Sequence, residues 1–153
     1  MDKPVIGYTS GVFDLFHVGH LNILKRAKEQ CDHLIVAVST DELVEAYKHK
    51  RPVIPYADRV EIVKAIRYVD EVVPQVSRNK LAAWEQYRFD KMFVGDDWKG
   101  SELFSQAEKA FEPLGVRVIY FPRTQGISSS ALAHTVREAQ IPNSAFQRAA
   151  DNL

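Results

Sequence analysis

Residues 34–39 (LIVAVS) form a continuous apolar run that constrains the fold more than any other segment of the chain. A strand with one face in water alternates apolar and polar side chains. A run without alternation therefore needs apolar neighbours on both of its faces. Strands of this kind occur in parallel sheets that are covered by helices on both sides. The run thus predicts a buried strand in an α/β protein.

Other short apolar runs alternate with amphipathic segments along the chain. The predicted strands are residues 5–9, 34–39, 69–74, 91–95 and 117–122. The predicted helices are residues 19–30, 58–68, 79–88, 101–114 and 128–139. This alternation predicts a single Rossmann-like domain, with a five-stranded parallel sheet flanked by helices and ligands beyond the carboxyl ends of the strands. We assign residues 1–140 to this domain and residues 141–153 to a C-terminal tail.

Composition excludes several other classes of protein. The 153 residues suit one domain. Twenty Lys plus Arg balance 20 Asp plus Glu, so the chain lacks the basic character typical of nucleic-acid-binding proteins. We expect no signal peptide, no membrane span and a cytoplasmic location, because no apolar stretch approaches about 20 residues. Cys31 is the single cysteine, which rules out an internal disulfide and a cysteine-based metal site.

The first polar cluster, residues 11–20 (GVFDLFHVGH), follows the first predicted strand and enters the first predicted helix. Backbone N–H groups and the helix dipole at such a position attract phosphate. His17 and His20 flank Gly19, where the absence of a side chain lets a phosphate come close. Zinc is disfavoured because it needs three or four converging ligands. We expect Mg²⁺ carried in by a nucleotide instead, with Asp14 helping to hold it.

The second polar cluster, residues 123–130 (RTQGISSS), follows the fifth predicted strand and enters the last predicted helix. Serines at this position can simply cap the helix. Arg123 and Gly126 add a cation and a flexible turn to the hydroxyls. The combination predicts a second phosphate-binding loop.

These segments together resemble a known family. Residues 11–20 match the G-x-F-D-x-x-H-x-G-H signature of the nucleotidylyltransferase superfamily, and residues 123–130 resemble the R-T-x-G-I-S-[ST]-[ST] signature of its cytidylyltransferase branch. Residues 67–72 (RYVDEV) and 95–98 (GDDW) match further segments, in a form similar to glycerol-3-phosphate cytidylyltransferases. The resemblance implies that an acceptor phosphate oxygen attacks the α-phosphorus of CTP and that pyrophosphate leaves, with no covalent intermediate.

The resemblance also implies roles for individual residues. The implied catalytic residues are His17, His20, Lys48 and Arg123, with Lys50 as an alternative to Lys48. The implied nucleotide-binding residues are Gly11, Phe13, Asp14, Gly19, Asp97, Thr124, Gly126, Ile127, Ser128 and Ser129. The implied acceptor-binding residues are Asp41, Arg59, Arg67 and Trp98. Mg²⁺ bound to CTP and a homodimer are further expectations from the family.

The identity of the acceptor stays open at this point. Glycerol 3-phosphate is the first expectation, with CDP-glycerol feeding a teichoic-acid or capsule-like polymer. Phosphoethanolamine, phosphocholine and other polyol or amino-alcohol phosphates are alternatives. Asp41, Tyr47, Asp97 and Trp98 could surround an amine cation. An adenylyltransferase or a non-catalytic nucleotide-binding module is less favoured, because both phosphate-binding segments are intact and the second is typical of cytidylyltransferases.

Overall fold

The computed structural model describes residues 3–140 of the chain, so the predicted tail lies outside the described residues. Five parallel strands form one sheet in the order β3-β2-β1-β4-β5, which confirms the predicted fold class. The strands are β1 Ile6–Gly11, β2 His33–Ser39, β3 Glu71–Gln75, β4 Lys91–Gly95 and β5 Arg117–Phe121. The helices are α1 Val18–Glu29, α2 Asp41–Lys48, α3 Tyr56–Lys64, α4 Lys80–Tyr87, α5 Glu102–Phe111 and α6 Ser129–Gln140.

Helix α2 is the element that the sequence prediction missed. The Thr40 hydroxyl caps it by accepting a hydrogen bond from Leu43 N at 3.2 Å. His49 ends it in the left-handed region, at φ 60°. The prediction treated the basic residues near its end as a loop. Helix α3 also ends four residues before the predicted boundary, because turns over residues 65–70 lead the chain into β3.

Apolar side chains cover both faces of the sheet. Leu34, Val36 and Val38 of β2 point to one face, where Leu24 and Ala27 of α1 pack against them. The opposite face carries a second cluster, made of Tyr8, Ile35, Ala37, Phe89, Met92, Val94, Phe104, Ala107, Phe111 and Val116. The two-sided burial of β2 explains its continuous apolar sequence. Among residues 3–140, no helix is long and apolar enough to cross a membrane.

The strand order creates a crevice at the carboxyl ends of the strands. From β1 the chain proceeds to β2 and β3 on one side, and later to β4 and β5 on the other. The connections that leave β1 and β4 therefore diverge. In parallel α/β sheets, this divergence opens a cleft beyond the carboxyl ends of the strands.

Candidate active site

A cavity of about 250 Å³ lies beyond the carboxyl ends of the strands. It is bounded by the β1–α1 loop, the end of α2 with the loop that follows it, and the β5–α6 loop. The residues that line it include Phe13, Asp14, His17, Gly19, His20, Lys48, Lys50, Arg51, Arg123, Thr124, Ile127, Ser128 and Ser129. The structure thus brings together all four residues that the resemblance implied to be catalytic.

The β1–α1 loop holds an unusual backbone conformation. Phe13 and Leu15 have φ values of 55° and 48°, which cost non-glycine residues about 1–2 kcal/mol each. The buried Phe13 ring anchors the loop in the core. The Asp14 carboxylate accepts hydrogen bonds from Val53 N at 2.7 Å and from Ile54 N at 2.8 Å. It therefore fastens the loop after α2 to the β1–α1 loop.

These bonds correct one expectation from the sequence. Both carboxylate oxygens of Asp14 already accept backbone N–H groups, and Leu15 N donates a third bond at 3.1 Å. Asp14 is therefore poorly placed to hold Mg²⁺. Within residues 3–140, no three His, Cys, Asp or Glu side chains cluster closely enough to hold a metal ion.

The two histidines cap helix α1 reciprocally. His17 Nδ1 accepts a hydrogen bond from Gly19 N at 3.0 Å, and His20 Nδ1 accepts one from His17 N at 3.1 Å. This is a capping box built from imidazoles instead of the usual hydroxyl and carboxylate. The sequence predicts that backbone N–H groups at the start of this helix attract phosphate. Two of them, those of His17 and Gly19, are instead bonded to imidazole nitrogens.

The capping bonds fix the tautomer of both rings. Because each Nδ1 accepts a hydrogen bond, the proton of each neutral imidazole lies on Nε2. Both Nε2 atoms converge on Ser129, at 3.3 Å from His17 and 3.1 Å from His20. Ser129 Oγ donates its own proton to the carbonyl oxygen of Asp14 at 2.6 Å. Both N–H donors are thus directed at the Ser129 hydroxyl, and all three residues line the cavity.

The surroundings of both imidazoles favour the neutral form. Burial lowers the pKa of His17. Burial and the neighbouring His17 lower the pKa of His20 to about 4, despite the opposing charge of Asp14. The rings stack with centroids 4.0 Å apart, and a Cβ on Gly19 would lie 2.7 Å from His17 Cε1. Gly19 is therefore required for the ring to occupy this position.

The β5–α6 loop forms the facing wall of the cavity. Asn22 of α1 donates a hydrogen bond to the Thr124 hydroxyl at 2.9 Å, which ties the loop to α1. Gly126 turns the chain at φ 82°, a conformation that favours glycine. Ser128 caps α6 by accepting from Ala131 N at 3.1 Å. Asn22 was missed in the sequence analysis because it lies outside both motifs.

Arg59 and Asp41 differ most from their implied role in acceptor binding. The Arg59 side chain is fully buried, and it donates to the carbonyl oxygens of Ile54, Val12 and Ser39 at 2.7–2.8 Å. Its remaining bond, at 2.7 Å, goes to Asp41. A guanidinium with these partners does not face the cavity. Arg59 is a positioning residue that joins the ends of β1 and β2 to the loop after α2.

The remaining implied residues lie at different distances from the cavity. Arg67 lies just before β3, at the amino edge of the sheet, where it stacks on Tyr68. This position does not support acceptor binding within the same subunit. Trp98 and Asp97 follow β4 at the correct edge, and Asp97 lies 3.7 Å from the exposed Arg123 guanidinium. Gly11 ends β1 beside the cavity, although it does not line it.

Lys80 is a buried cation that the sequence analysis did not identify. It is the first residue of α4 and is only 8% exposed. Its ammonium donates to the Ser10 hydroxyl at 3.2 Å, near the carboxyl end of β1, and lies 5.3 Å from the centre of the Phe104 ring. Burial and the nearby Arg78 lower its pKa to about 8. Only the fold brings this lysine, far from β1 in sequence, to the carboxyl end of β1.

Comparison with known proteins agrees with this geometry. A family model described as cytidylyltransferase-like matches residues 8–135, and the chain belongs to that family. It is similar to the glycerol-3-phosphate cytidylyltransferase of Bacillus subtilis (strain 168), with 38% identity over 141 residues, 88% of this chain and 97% of the relative. These similarities make the chain a CTP-dependent nucleotidyltransferase of the cytidylyltransferase class.

Two further similarities are less specific. The FAD synthase of Thermococcus kodakarensis is 55% identical, but over 70 residues that cover 46% of this chain and 47% of that protein. The crystal structure of a lipopolysaccharide core biosynthesis protein from Thermoplasma volcanium has a TM-score of 0.67 and 23% identity, covering 80% of this chain and 98% of that chain. This last likeness shows the fold alone.

Proposed function

We propose that this cytidylyltransferase transfers CMP from CTP to glycerol 3-phosphate, giving CDP-glycerol and pyrophosphate. The observation that carries the proposal is the convergence of two Nε2–H donors, from His17 and His20, on the Ser129 hydroxyl in the wall of a cavity bordered by cations. The full-length similarity to a glycerol-3-phosphate cytidylyltransferase supports glycerol 3-phosphate as the acceptor.

In the proposed reaction, an oxygen of the acceptor phosphate forms a bond to the α-phosphorus of CTP. The bond from that phosphorus to the bridging oxygen breaks, and pyrophosphate leaves with the electron pair. A phosphate nucleophile is already ionised, so no general base is required. Catalysis then consists of positioning and charge stabilisation. His17 and His20 donate hydrogen bonds to the triphosphate, Arg123 neutralises charge on its β- and γ-phosphates, and Lys48 lies where the α-phosphate meets the acceptor phosphate.

Mg²⁺ belongs to the proposal as part of the CTP substrate. The triphosphate oxygens supply the hard ligands that this ion prefers. Asp14 is occupied by backbone donors, so we assign no protein ligand to the metal. The ion would shield charge on the β- and γ-phosphates, while the residues of this chain orient the α-phosphate.

The acceptor phosphate is assigned to the cations beside β1 and α2. Lys80 lies at the carboxyl end of β1, and Lys48 lies at the end of α2. Partial burial, Lys50 and Arg78 lower the pKa of Lys48, against the opposing charge of Asp14. An anion bound beside Lys48 would favour its charged form and oppose the effect of burial and of these cations. An acceptor phosphate supplies that anion.

Three finer points also belong to the proposal. The family resemblance suggests a homodimer, and Ile62 on α3 offers an exposed apolar side chain for such a contact. A sedimentation run that gives a monomer at micromolar concentration would contradict this.

The proposed substrates are metabolites of the cytoplasm, where we place the enzyme. CDP-glycerol would then supply a reaction that builds glycerol-phosphate polymers, such as teichoic acids.

The test is pyrophosphate release from CTP and Mg²⁺ with a panel of acceptors. The panel contains glycerol 3-phosphate, ribitol and erythritol phosphates, phosphoethanolamine and phosphocholine, and ATP replaces CTP in a parallel series. We expect release with CTP and glycerol 3-phosphate. Release with another acceptor alone would change the acceptor and keep the reaction. No release with any acceptor, despite tight CTP binding, would mean a binding module.

A further inference from the structure

A pair of aromatic rings beside the cavity is already occupied by an arginine of the chain. The Arg78 guanidinium lies 4.4 Å from the centre of the Tyr47 ring and 5.7 Å from that of Trp98. Tyr47 is in the last turn of α2, Arg78 follows β3 and Trp98 follows β4. All three therefore lie beyond the carboxyl ends of the strands. We call Tyr47 and Trp98 the aromatic slot.

The aromatic slot adjoins the cavity on two sides. Lys48, which lines the cavity, has its ammonium 5.7 Å from the centre of the Tyr47 ring. Arg123, which also lines the cavity, contacts Asp97, the neighbour of Trp98, at 3.7 Å. An acceptor whose phosphate is held by Lys48 would therefore have the slot beside its alcohol portion.

The surroundings of Arg78 are positively charged. Lys48 and Lys80 both have their pKa lowered by burial and by the charge of Arg78. Within residues 3–140, no carboxylate oxygen lies within 4.0 Å of the Arg78 guanidinium. Asp14 is the acidic residue whose charge acts on Lys48. A further cation placed here would meet like charges.

Each residue that could surround an amine cation is in fact engaged by an arginine. Asp41 pairs with Arg59 at 2.7 Å, and Asp97 lies 3.7 Å from Arg123. The two aromatic rings are covered by Arg78. Recognition of ammonium head groups depends on free aromatic faces or free carboxylates. The protein's own guanidinium groups take up both kinds of partner.

We infer that Arg78 is a specificity-determining residue that occupies the aromatic slot and excludes acceptors with a cationic head group. The acceptor class is then a phosphorylated polyol whose hydroxyl oxygens accept hydrogen bonds from the guanidinium. Phosphoethanolamine and phosphocholine are rejected because their amines would need the same aromatic faces. The inference rests on the proposed function and concerns its acceptor.

The experiment compares glycerol 3-phosphate with phosphoethanolamine in the wild type and in Arg78→Gln. We expect the wild type to prefer glycerol 3-phosphate by about 100-fold in kcat/KM, which corresponds to about 2.7 kcal/mol. Arg78→Gln should reduce this ratio at least tenfold and leave the KM for CTP unchanged. A structural defect would change the kinetic constants for both acceptors and for CTP together, whereas the loss of a specificity contact changes only the ratio between the two acceptors.

Two control variants sharpen the test. Arg78→Lys keeps the charge and should keep most of the discrimination. Arg88→Gln removes an equivalent arginine, which stacks at 4.3 Å on Trp84 away from the cavity, and should leave the ratio as in the wild type. An unchanged ratio in Arg78→Gln, or wild-type enzyme that uses both acceptors equally, would overturn the inference.

Equilibrium binding separates this inference from the proposed function. Calorimetric titration of each acceptor into the wild type and Arg78→Gln needs no turnover. If the wild type releases no pyrophosphate yet binds glycerol 3-phosphate with a preference that depends on Arg78, the function is wrong and the inference stands. If pyrophosphate is released but binding shows no such preference, the inference is wrong and the function stands. If neither acceptor binds, the inference fails as well.

Discussion

Replacing Arg59 distinguishes a residue that holds the site together from one that binds the acceptor. Its guanidinium makes four hydrogen bonds while fully buried, three to carbonyl oxygens and one to Asp41. Lysine keeps the positive charge but carries three donors on a single nitrogen. It cannot reproduce a planar fork that reaches four separate acceptors. Arg59→Lys therefore leaves at least one buried acceptor unpaired.

The size of the effect follows from these bonds. A hydrogen bond to a charged group contributes about 1.5–3 kcal/mol, and removing one partner of a buried ion pair costs about 3–5 kcal/mol. We expect Arg59→Lys to lower the free energy of unfolding by about 2–3 kcal/mol. Arg59→Met should lower it by about 3–5 kcal/mol, since the Asp41 carboxylate loses its partner. At roughly 2–4 °C per kcal/mol, the Tm falls by about 4–12 °C for lysine.

The assay is urea unfolding followed by far-ultraviolet circular dichroism, with acceptor KM measured on the folded fraction at low temperature. Arg26→Lys, an exposed substitution on α1, serves as the control and should change the free energy of unfolding by less than about 0.5 kcal/mol. An Arg59→Lys variant with unchanged stability and a tenfold higher acceptor KM would refute the reasoning. It would restore the role in acceptor binding that the family resemblance implied.

Two further predictions concern His17 and Lys80. His17→Asn keeps an oxygen that can cap Gly19 N but removes the Nε2–H donor, so kcat should fall about 10²–10³-fold while the free energy of unfolding in urea stays unchanged. The exposed His134→Asn is the control. Retention of a tenth of the wild-type rate in His17→Asn would contradict the donor role of His17. Acceptor kcat/KM should fall above about pH 8 as Lys80 loses its proton, and Lys80→Met should abolish that pH dependence. The free energy of unfolding should rise between about pH 8 and pH 10, because Lys80 keeps its proton to a higher pH in the unfolded chain than in the folded protein. A loss of stability over the same pH range would contradict this assignment.

The fold was predictable because the patterns that determine it are local. The unbroken apolar run of β2 predicts burial on both faces, and two core clusters provide it. Helix α2 was missed because its residues carry many charges and precede a basic loop. Its stability depends on the Thr40 cap and on Val44, which is buried against the rest of the protein. Such packing leaves little trace in the sequence of a single short helix.

The geometry of the histidine pair was also predictable, for a related reason. His17 and His20 act through bonds within a few residues of each other, so their spacing encodes their geometry. Arg59 has no such local signature. From sequence it is a charged residue with a matching position in the family, and its burial depends on three chain segments that only the fold brings together.

The proposed acceptor half of the site is built differently, and this difference has a consequence for specificity. Tyr47, Arg78 and Trp98 come from the ends of three separate elements, and none of them makes a capping bond to the histidine pair. Under the proposed function, substitutions in this group therefore alter acceptor selection without disturbing the donors assigned to the α-phosphate. On this basis, Arg78→Gln combined with His17→Asn should show the separate effects of each change added together, as expected for sites that share no partner. A strong departure from additivity in kcat would mean that the aromatic slot and the phosphate site are coupled.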